Sequence, residues 1–77
     1  MPVTKIVMTL ETTEMTVKEM LQEAAVYVHP DQEAVRVLYC EDEYFVGEGE
    51  ETGESYQIEY TDVDPARDLI YKLVLIN

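Results

Sequence analysis

For thirty consecutive residues, from 37 to 66, the chain carries no lysine or arginine, and the same stretch holds ten carboxylates: Glu41, Asp42, Glu43, Glu48, Glu50, Glu51, Glu54, Glu59, Asp62 and Asp64. Like charges at this density repel in a compact state, so a fold that keeps them together has to place them on turns, edges and solvent-facing strand positions. The same crowding selects partners. A surface of this kind is complementary to a protein with a positive cleft and repels nucleic acid and anionic lipid, whose binding requires Lys and Arg to displace counterions. Over the whole chain, 17 acids against 5 bases give a formal charge of -12. Neither nucleic acid nor a membrane is expected as a partner.

The charge sits on a folding sequence. An apolar fraction of 47% is well above that of disordered acidic tails. Seventy-seven residues suffice for one domain, spanning 1–77, with a thin stability margin. The single cysteine, Cys40, excludes an internal disulfide framework and fits a reducing compartment. Met1-Pro2-Val3-Thr4-Lys5 lacks the features of a signal peptide, and no apolar run is long enough to cross a bilayer, so a cytoplasmic location is expected.

Periodicity predicts an α+β fold. Ile6, Met8 and Leu10 alternate with Lys5, Val7 and Thr9, the period-two pattern of a first strand over 3–10. Thr16 and Glu19 form a capping box ahead of Val17, Met20, Leu21, Ala24, Ala25 and Val28, which predicts a helix over 16–28, stopped by His29-Pro30. Ala34–Cys40 is β-branched and aromatic, with Val35, Val37 and Tyr39 facing one way and Arg36, Leu38 and Cys40 the other. That strand is expected to continue through Tyr44 to Val46. Residues 47–54 contain all three glycines and no apolar side chain, and read as a flexible hairpin connection. Tyr56, Ile58 and Tyr60 mark a third strand, 62–68 a turn, and Leu69–Ile76 a central strand buried on both faces. The expected architecture is a small antiparallel sheet of about four strands in the order β-α-β-β-β, with one helix packed on a face through Val17, Met20, Leu21 and Ala24.

Little in the sequence points to chemistry, and no enzyme activity, catalytic residue, cofactor or metal is expected. Carboxylates in hairpins stay hydrated and ionised, so they lack the enclosed pocket that separates a general acid from a general base. His29, the single histidine, stands beside a helix-ending proline with no nucleophile motif around it. Asp62, Asp64 and Asp68 resemble the start of a calcium loop, but Arg67 occupies the position where an EF-hand needs glycine and Pro65 stiffens the segment. Met8, Met15 and Met20 fit core filling, or an adaptable apolar cleft for a partner side chain. Six tyrosines interleave with the acids, as in Tyr56-Gln57-Ile58-Glu59-Tyr60, in the manner of interface residues. Carboxylates two apart on a strand, such as Glu41 and Glu43, face one side at roughly 6.6 Å and offer a DNA-reading protein a substitute for phosphates. The plainer alternative is a surface charged for solubility.

The segments Ala34-Val35-Arg36-Val37-Leu38-Tyr39-Cys40-Glu41-Asp42-Glu43, Tyr56-Gln57-Ile58-Glu59-Tyr60-Thr61-Asp62-Val63-Asp64-Pro65 and Tyr71-Lys72-Leu73-Val74-Leu75-Ile76 resemble, in type and order, the phage uracil-DNA glycosylase inhibitor family. Ile6-Val7-Met8 is similar to that family's edge strand and Val17-Lys18-Glu19-Met20-Leu21 to its apolar helix repeat. Thr4-Lys5 stand where the family places a glutamate. The resemblance implies a cytoplasmic DNA mimic of host-defence evasion that blocks the DNA cleft of uracil-DNA glycosylase. Acids would meet the enzyme, at Glu11, Glu14, Glu19, Glu41, Asp42, Glu43, Asp62 and Asp64. A hydrophobic pocket would receive its intercalating loop, lined by Met8, Val17, Met20, Leu21, Val37 and Ile58. Two other readings remain: another phage DNA mimic, of anti-restriction or anti-CRISPR type, and a small ubiquitin-like interaction module.

Overall fold

The computed structural model describes residues 3–10 and 15–75. Among them, six strands form one antiparallel sheet: β1 (Val3–Val7), β2 (Val26–Val28), β3 (Ala34–Cys40), β4 (Tyr44–Gly49), β5 (Ser55–Glu59) and β6 (Leu69–Leu75), in the spatial order β1-β6-β2-β3-β4-β5. The helix α1 (Val17–Glu23) covers one face, and a single 3-10 turn over Tyr60–Asp62 follows β5. The α+β class with an antiparallel sheet and a helix is as the periodicity predicts. The strand count is six, not about four.

Both additional strands arise from segments whose pattern points elsewhere. Thr16 caps α1 by accepting the Glu19 amide at 3.2 Å while its hydroxyl donates to Glu19 Oε1 at 3.1 Å. The helix ends at Glu23, however, and not at 28. At Ala25 the backbone is drawn into the sheet, donating to the Tyr71 carbonyl at 2.7 Å and accepting from the Val37 amide at 2.9 Å. Val26-Tyr27-Val28 then pair with β3 and β6 on both sides. Two β-branched residues flanking a tyrosine suit this central position, and sheet hydrogen bonds prevail over the apolar steps of three and four that suggest a longer helix. The second addition, β4, absorbs Gly47-Glu48-Gly49, which are strand residues and not a loose connection.

A register shift between Val37 and Tyr39 corrects the predicted facing of β3. Val37 and Cys40 both pack against the core, so the bulge turns Leu38 and Tyr39 together to the opposite, exposed side.

The core lies between α1 and the sheet. Met20 and Leu21 on the helix meet Tyr27, Val35, Phe45 and Ile70 on the strands, with Met8 and Val63 closing the ends. The Tyr27 and Phe45 rings meet edge to face at 5.4 Å between centroids. Strand β6 is interior in the sheet but is not buried on both faces: Ile70 faces the helix while Leu69 and Leu73 are exposed on the other side.

Gly47 is required for close packing. A Cβ there would overlap Val35 Cγ1 and come within 2.7 Å of the Arg36 carbonyl oxygen. Gly47→Ala is therefore expected to cost about 1–3 kcal/mol through overpacking. Gly53 has φ of 74° with nothing near its Cβ position, so Gly53→Ala should cost only about 1 kcal/mol of backbone strain. Urea titration of both variants checks this order; a Gly47→Ala protein as stable as the parent contradicts the packing account.

Candidate functional site

The acids that sequence patterning groups together are gathered at two ends of the β3–β4–β5 hairpins. The first end is the β3–β4 turn. Glu41, Asp42 and Glu43 are exposed there, and the turn is closed by the Glu41 amide donating to the Tyr44 carbonyl at 2.8 Å. Because these three lie in a turn, the even spacing of a strand does not apply to Glu41 and Glu43. Tyr44 pairs with Glu59, which carries the end of β5 to the same place. Asp42, Glu43, Glu59, Tyr60 and Thr61 line a shallow cavity of about 400 Å³.

Tyr60 organises this end. Its hydroxyl donates to the Glu41 carbonyl at 2.6 Å, and its amide donates to the Glu43 carbonyl at 3.1 Å. Burial, then a hydrogen bond with Cys40 and the nearby acids, pushes its phenol up to about 12, so it stays neutral and fixes the turn. The Cys40 thiol is likewise raised by burial, against opposing contributions from Tyr60 and Lys18. Lys18, partly exposed, bridges to the fully exposed Asp42 at 3.3 Å, which ties the first helical turn to this end but holds it weakly.

The remaining predicted acids separate. Asp62 and Asp64 are exposed, beyond Tyr60. Arg67 Nη2 donates to the Asp62 carbonyl at 3.1 Å, and the Asp64 carboxylate accepts the Ala66 amide at 2.9 Å. Glu11 and Glu14 lie outside the described residues. The predicted pocket residues are brought together, but as packing: Met8, Met20 and Leu21 are buried in the core, and Val17, Val37 and Ile58 pack half-buried against it. Ile58 alone of the six borders a described cavity, of about 320 Å³, with Tyr27, His29, Gln32, Gln57, Asp62 and Arg67. His29 itself serves its turn, Nδ1 accepting the Asp31 amide at 3.0 Å.

Two acidic residues whose roles the sequence pattern does not reveal each organise a hydrogen-bond network. Glu33 receives the Glu51 amide at 2.9 Å, the Thr52 amide at 3.0 Å, the Thr52 hydroxyl at 2.6 Å and the Tyr56 hydroxyl at 2.7 Å. Donation from Thr52, then Tyr56, holds its carboxyl at about 2, and the bond to Glu33 is the main reason the Tyr56 phenol is raised. The second acidic end, Glu50, Glu51 and Glu54, is thus a hydrogen-bonded turn, closed also by Gly49 donating to the Glu54 carbonyl at 2.8 Å, and not a mobile spacer. Because Glu33 is depressed, its contacts are intact above the ordinary glutamate range and are lost as pH falls from about 4.3 toward about 2. Glu33→Gln should speed exchange of the Glu51 and Thr52 amides roughly 10-fold at neutral pH, as read by hydrogen-exchange NMR. Unchanged protection would show that the turn stands without Glu33.

Asp68 is the other, and it works inside the fold. Its side chain is wholly buried, accepting Tyr27 Oη at 2.7 Å, the Asp64 amide at 3.0 Å, and Arg67 Nε and Nη2 at 2.7 and 3.0 Å. Burial opposes ionisation, but donors from Arg67, Asp64 and Tyr27 outweigh it and hold Asp68 at about 2. Among the described residues no cluster of three or more metal-ligating side chains occurs, and no helix is long and apolar enough to cross a membrane.

No protein-family model, curated protein or solved structure matches the chain.

Proposed function

We propose that the protein is a non-enzymatic DNA mimic, an inhibitor that occupies the DNA-binding cleft of a host DNA-processing enzyme, with uracil-DNA glycosylase the favoured target. The observation that carries this reading is the first acidic end, where Glu41, Asp42, Glu43 and Glu59 converge around Tyr60 with one weakly held base, Lys18. Exposed carboxylates on a hydrogen-bonded turn present fixed negative charge to a cationic cleft at small entropic cost. The choice of glycosylase rests on the resemblance in strand and turn sequence. Titration of the protein into a uracil-excision assay with a bacterial uracil-DNA glycosylase tests it. Loss of excision at one-to-one stoichiometry supports the reading, and full activity at large excess discards that target.

A second DNA-mimic reading, of anti-restriction or anti-CRISPR type, is favoured by the filled space between helix and sheet. Such a protein needs the acids and no apolar pocket, and Met20 and Leu21 are fully buried. Met20→Asp would unfold the domain under either reading, so the pocket is tested at the half-buried Val17 and Ile58. Val17→Ser and Ile58→Ser weaken glycosylase inhibition if the enzyme's loop enters there, and leave a pocket-independent mimic unaffected. A ubiquitin-like module gains no support, since β1 is the one strand before α1 among the described residues and that fold places a hairpin before its helix.

A further inference from the structure

The sheet ends at β5, which pairs with β4 along one side and, among the described residues, with no strand along the other. Register fixes which of its backbone groups are left over. The Gly49 amide donates to the Glu54 carbonyl and the Tyr60 amide to the Glu43 carbonyl, so in this antiparallel ladder residues 54, 56, 58 and 60 turn their N–H and C=O toward β4. Ser55, Gln57 and Glu59 therefore turn theirs outward. All three are exposed, whereas Tyr56 and Ile58, whose side chains lie on the helix side, are half-buried.

An open edge is ordinarily guarded by a lysine, a proline, a bulge or a covering segment. The other edge, β1, follows this rule: the Met8 amide donates to the Ile70 carbonyl, so Val3, Lys5 and Val7 turn outward, with the lysine in the middle. Strand β5 has no lysine, no proline and no register shift against β4. Its guard is acid. Glu54 precedes the strand, and Glu59 ends it in the cavity shared with Asp42 and Glu43. The nearest bases in sequence, Arg36 and Arg67, are bridged to Glu48 and Asp68. Acidic guards repel a second copy of this chain, which carries -12, and admit a strand of the opposite sign.

We propose that the β5 edge receives an extended basic segment of a partner protein, which continues the antiparallel sheet by bonding its main chain to Ser55, Gln57 and Glu59. Alternation sets the side chains of that segment. Residues opposite Ser55, Gln57 and Glu59 project on the same side as these three, where a lysine or arginine meets Glu59 and the cavity it shares with Asp42 and Glu43. The residues between them project beside the half-buried Tyr56 and Ile58 and are apolar. Backbone bonds supply the affinity, and the alternation of basic with apolar side chains supplies the selection. The edge site goes beyond the DNA-cleft reading, since it takes an extended segment and does not require a cleft shaped for duplex DNA.

Amide NMR of the full chain, titrated at low salt with a short peptide alternating lysine and valine, tests the proposal, with hydrogen exchange as a second readout. The expected result is a dissociation constant below about 1 mM and at least about 10-fold slower exchange of the Ser55, Gln57 and Glu59 amides in the complex. The Tyr56 and Ile58 amides, already turned to β4, should change little. The same peptide N-methylated at every backbone nitrogen keeps its charge and loses its donors, and should bind at least about 10-fold more weakly. Gln57→Pro removes the central outward donor without touching the β4 ladder, a change that edge strands tolerate, and should weaken binding about 10-fold. Glu59→Lys, at an exposed position, should weaken it to a similar extent, about 10-fold, and keeps the test decisive where the proline disturbs the strand. Equal binding of the methylated peptide, or binding that leaves the three edge amides exchanging as before, is bare charge attraction and overturns strand addition. No binding at about 2 mM peptide overturns the site.

Discussion

Asp68→Asn should lower the melting temperature by roughly 12–24 °C, equivalent to about 3 kcal/mol in a domain of this size. The substitution keeps shape but exchanges one carboxylate oxygen for an amide donor. Asp68 Oδ1 faces Arg67 Nε, and Oδ2 faces Tyr27 Oη, the Asp64 amide and Arg67 Nη2. Either orientation of an asparagine therefore sets a buried donor against a donor. Loss of one partner from a buried ionic network costs about 3–5 kcal/mol, and the exposure of Arg67 to solvent keeps the expectation at the lower limit. Against a total of about 4–12 kcal/mol for a chain of this length, the variant is marginal at 37 °C.

The same network sets the acid limit of the fold. Asp68 ionises at about 2 when folded and near 3.9 when unfolded, so its stabilisation is complete above about 4 and fades as pH drops toward 2. That contribution is about 2–3 kcal/mol, and the Asn variant should lack this part of the acid transition. Tyr27, raised by burial and then by its bond to Asp68, stays a neutral donor throughout this range. Thermal melts at pH 7, 4 and 3 read both effects. A variant that melts within 3 °C of the parent at pH 7 would show that the network contributes little.

Neutralising the first acidic end should abolish target inhibition while leaving the fold intact. In the combined variant Glu41→Gln, Asp42→Asn, Glu43→Gln and Glu59→Gln, all four positions are exposed, and one weak surface bridge, from Lys18, is lost. Removing like charges should hold stability level or raise it slightly. At about 0.5–1 kcal/mol for each charge facing a cationic cleft, the loss is about 2–4 kcal/mol, or roughly 30- to 1,000-fold in inhibition constant at low salt. The gap should narrow at high salt as screening weakens the parent. An inhibition curve unchanged from the parent would locate the interaction elsewhere, with the Glu50, Glu51 and Glu54 turn the next surface to neutralise.

How far the sequence shows this arrangement depends on the kind of signal. The Thr16–Glu19 cap, the strand Ala34–Cys40 and the apolar strand beginning at Leu69 are local patterns, and each stands close to its predicted place. Val26-Tyr27-Val28 is misread because apolar spacing at three and four continues through Ala24 and Ala25 without a glycine or proline, while the forces that straighten it are ladders to β3 and β6. Gly47 and Gly49 look like loop glycines because nothing local reports that Val35 and Glu33 need the space above them. The acidic turns were legible as composition, but their grouping was not. Glu59 joins Glu43 through the Tyr44–Glu59 register, a long-range pairing that period-two alternation alone leaves open. Asp68 was legible only as one more acid in a turn, since its burial depends on Tyr27, 41 residues away.

Competition between the protein and duplex DNA for one enzyme is the most direct test of the acidic end as a DNA substitute. Fluorescence anisotropy of a labelled uracil-containing duplex bound to catalytically inactive uracil-DNA glycosylase, titrated with the protein at two salt concentrations, measures it. Full displacement of the duplex at stoichiometric protein, with an apparent affinity that falls as salt rises, is the expected result. A ternary complex that retains the duplex, or no change at large excess, would contradict occupation of the DNA cleft.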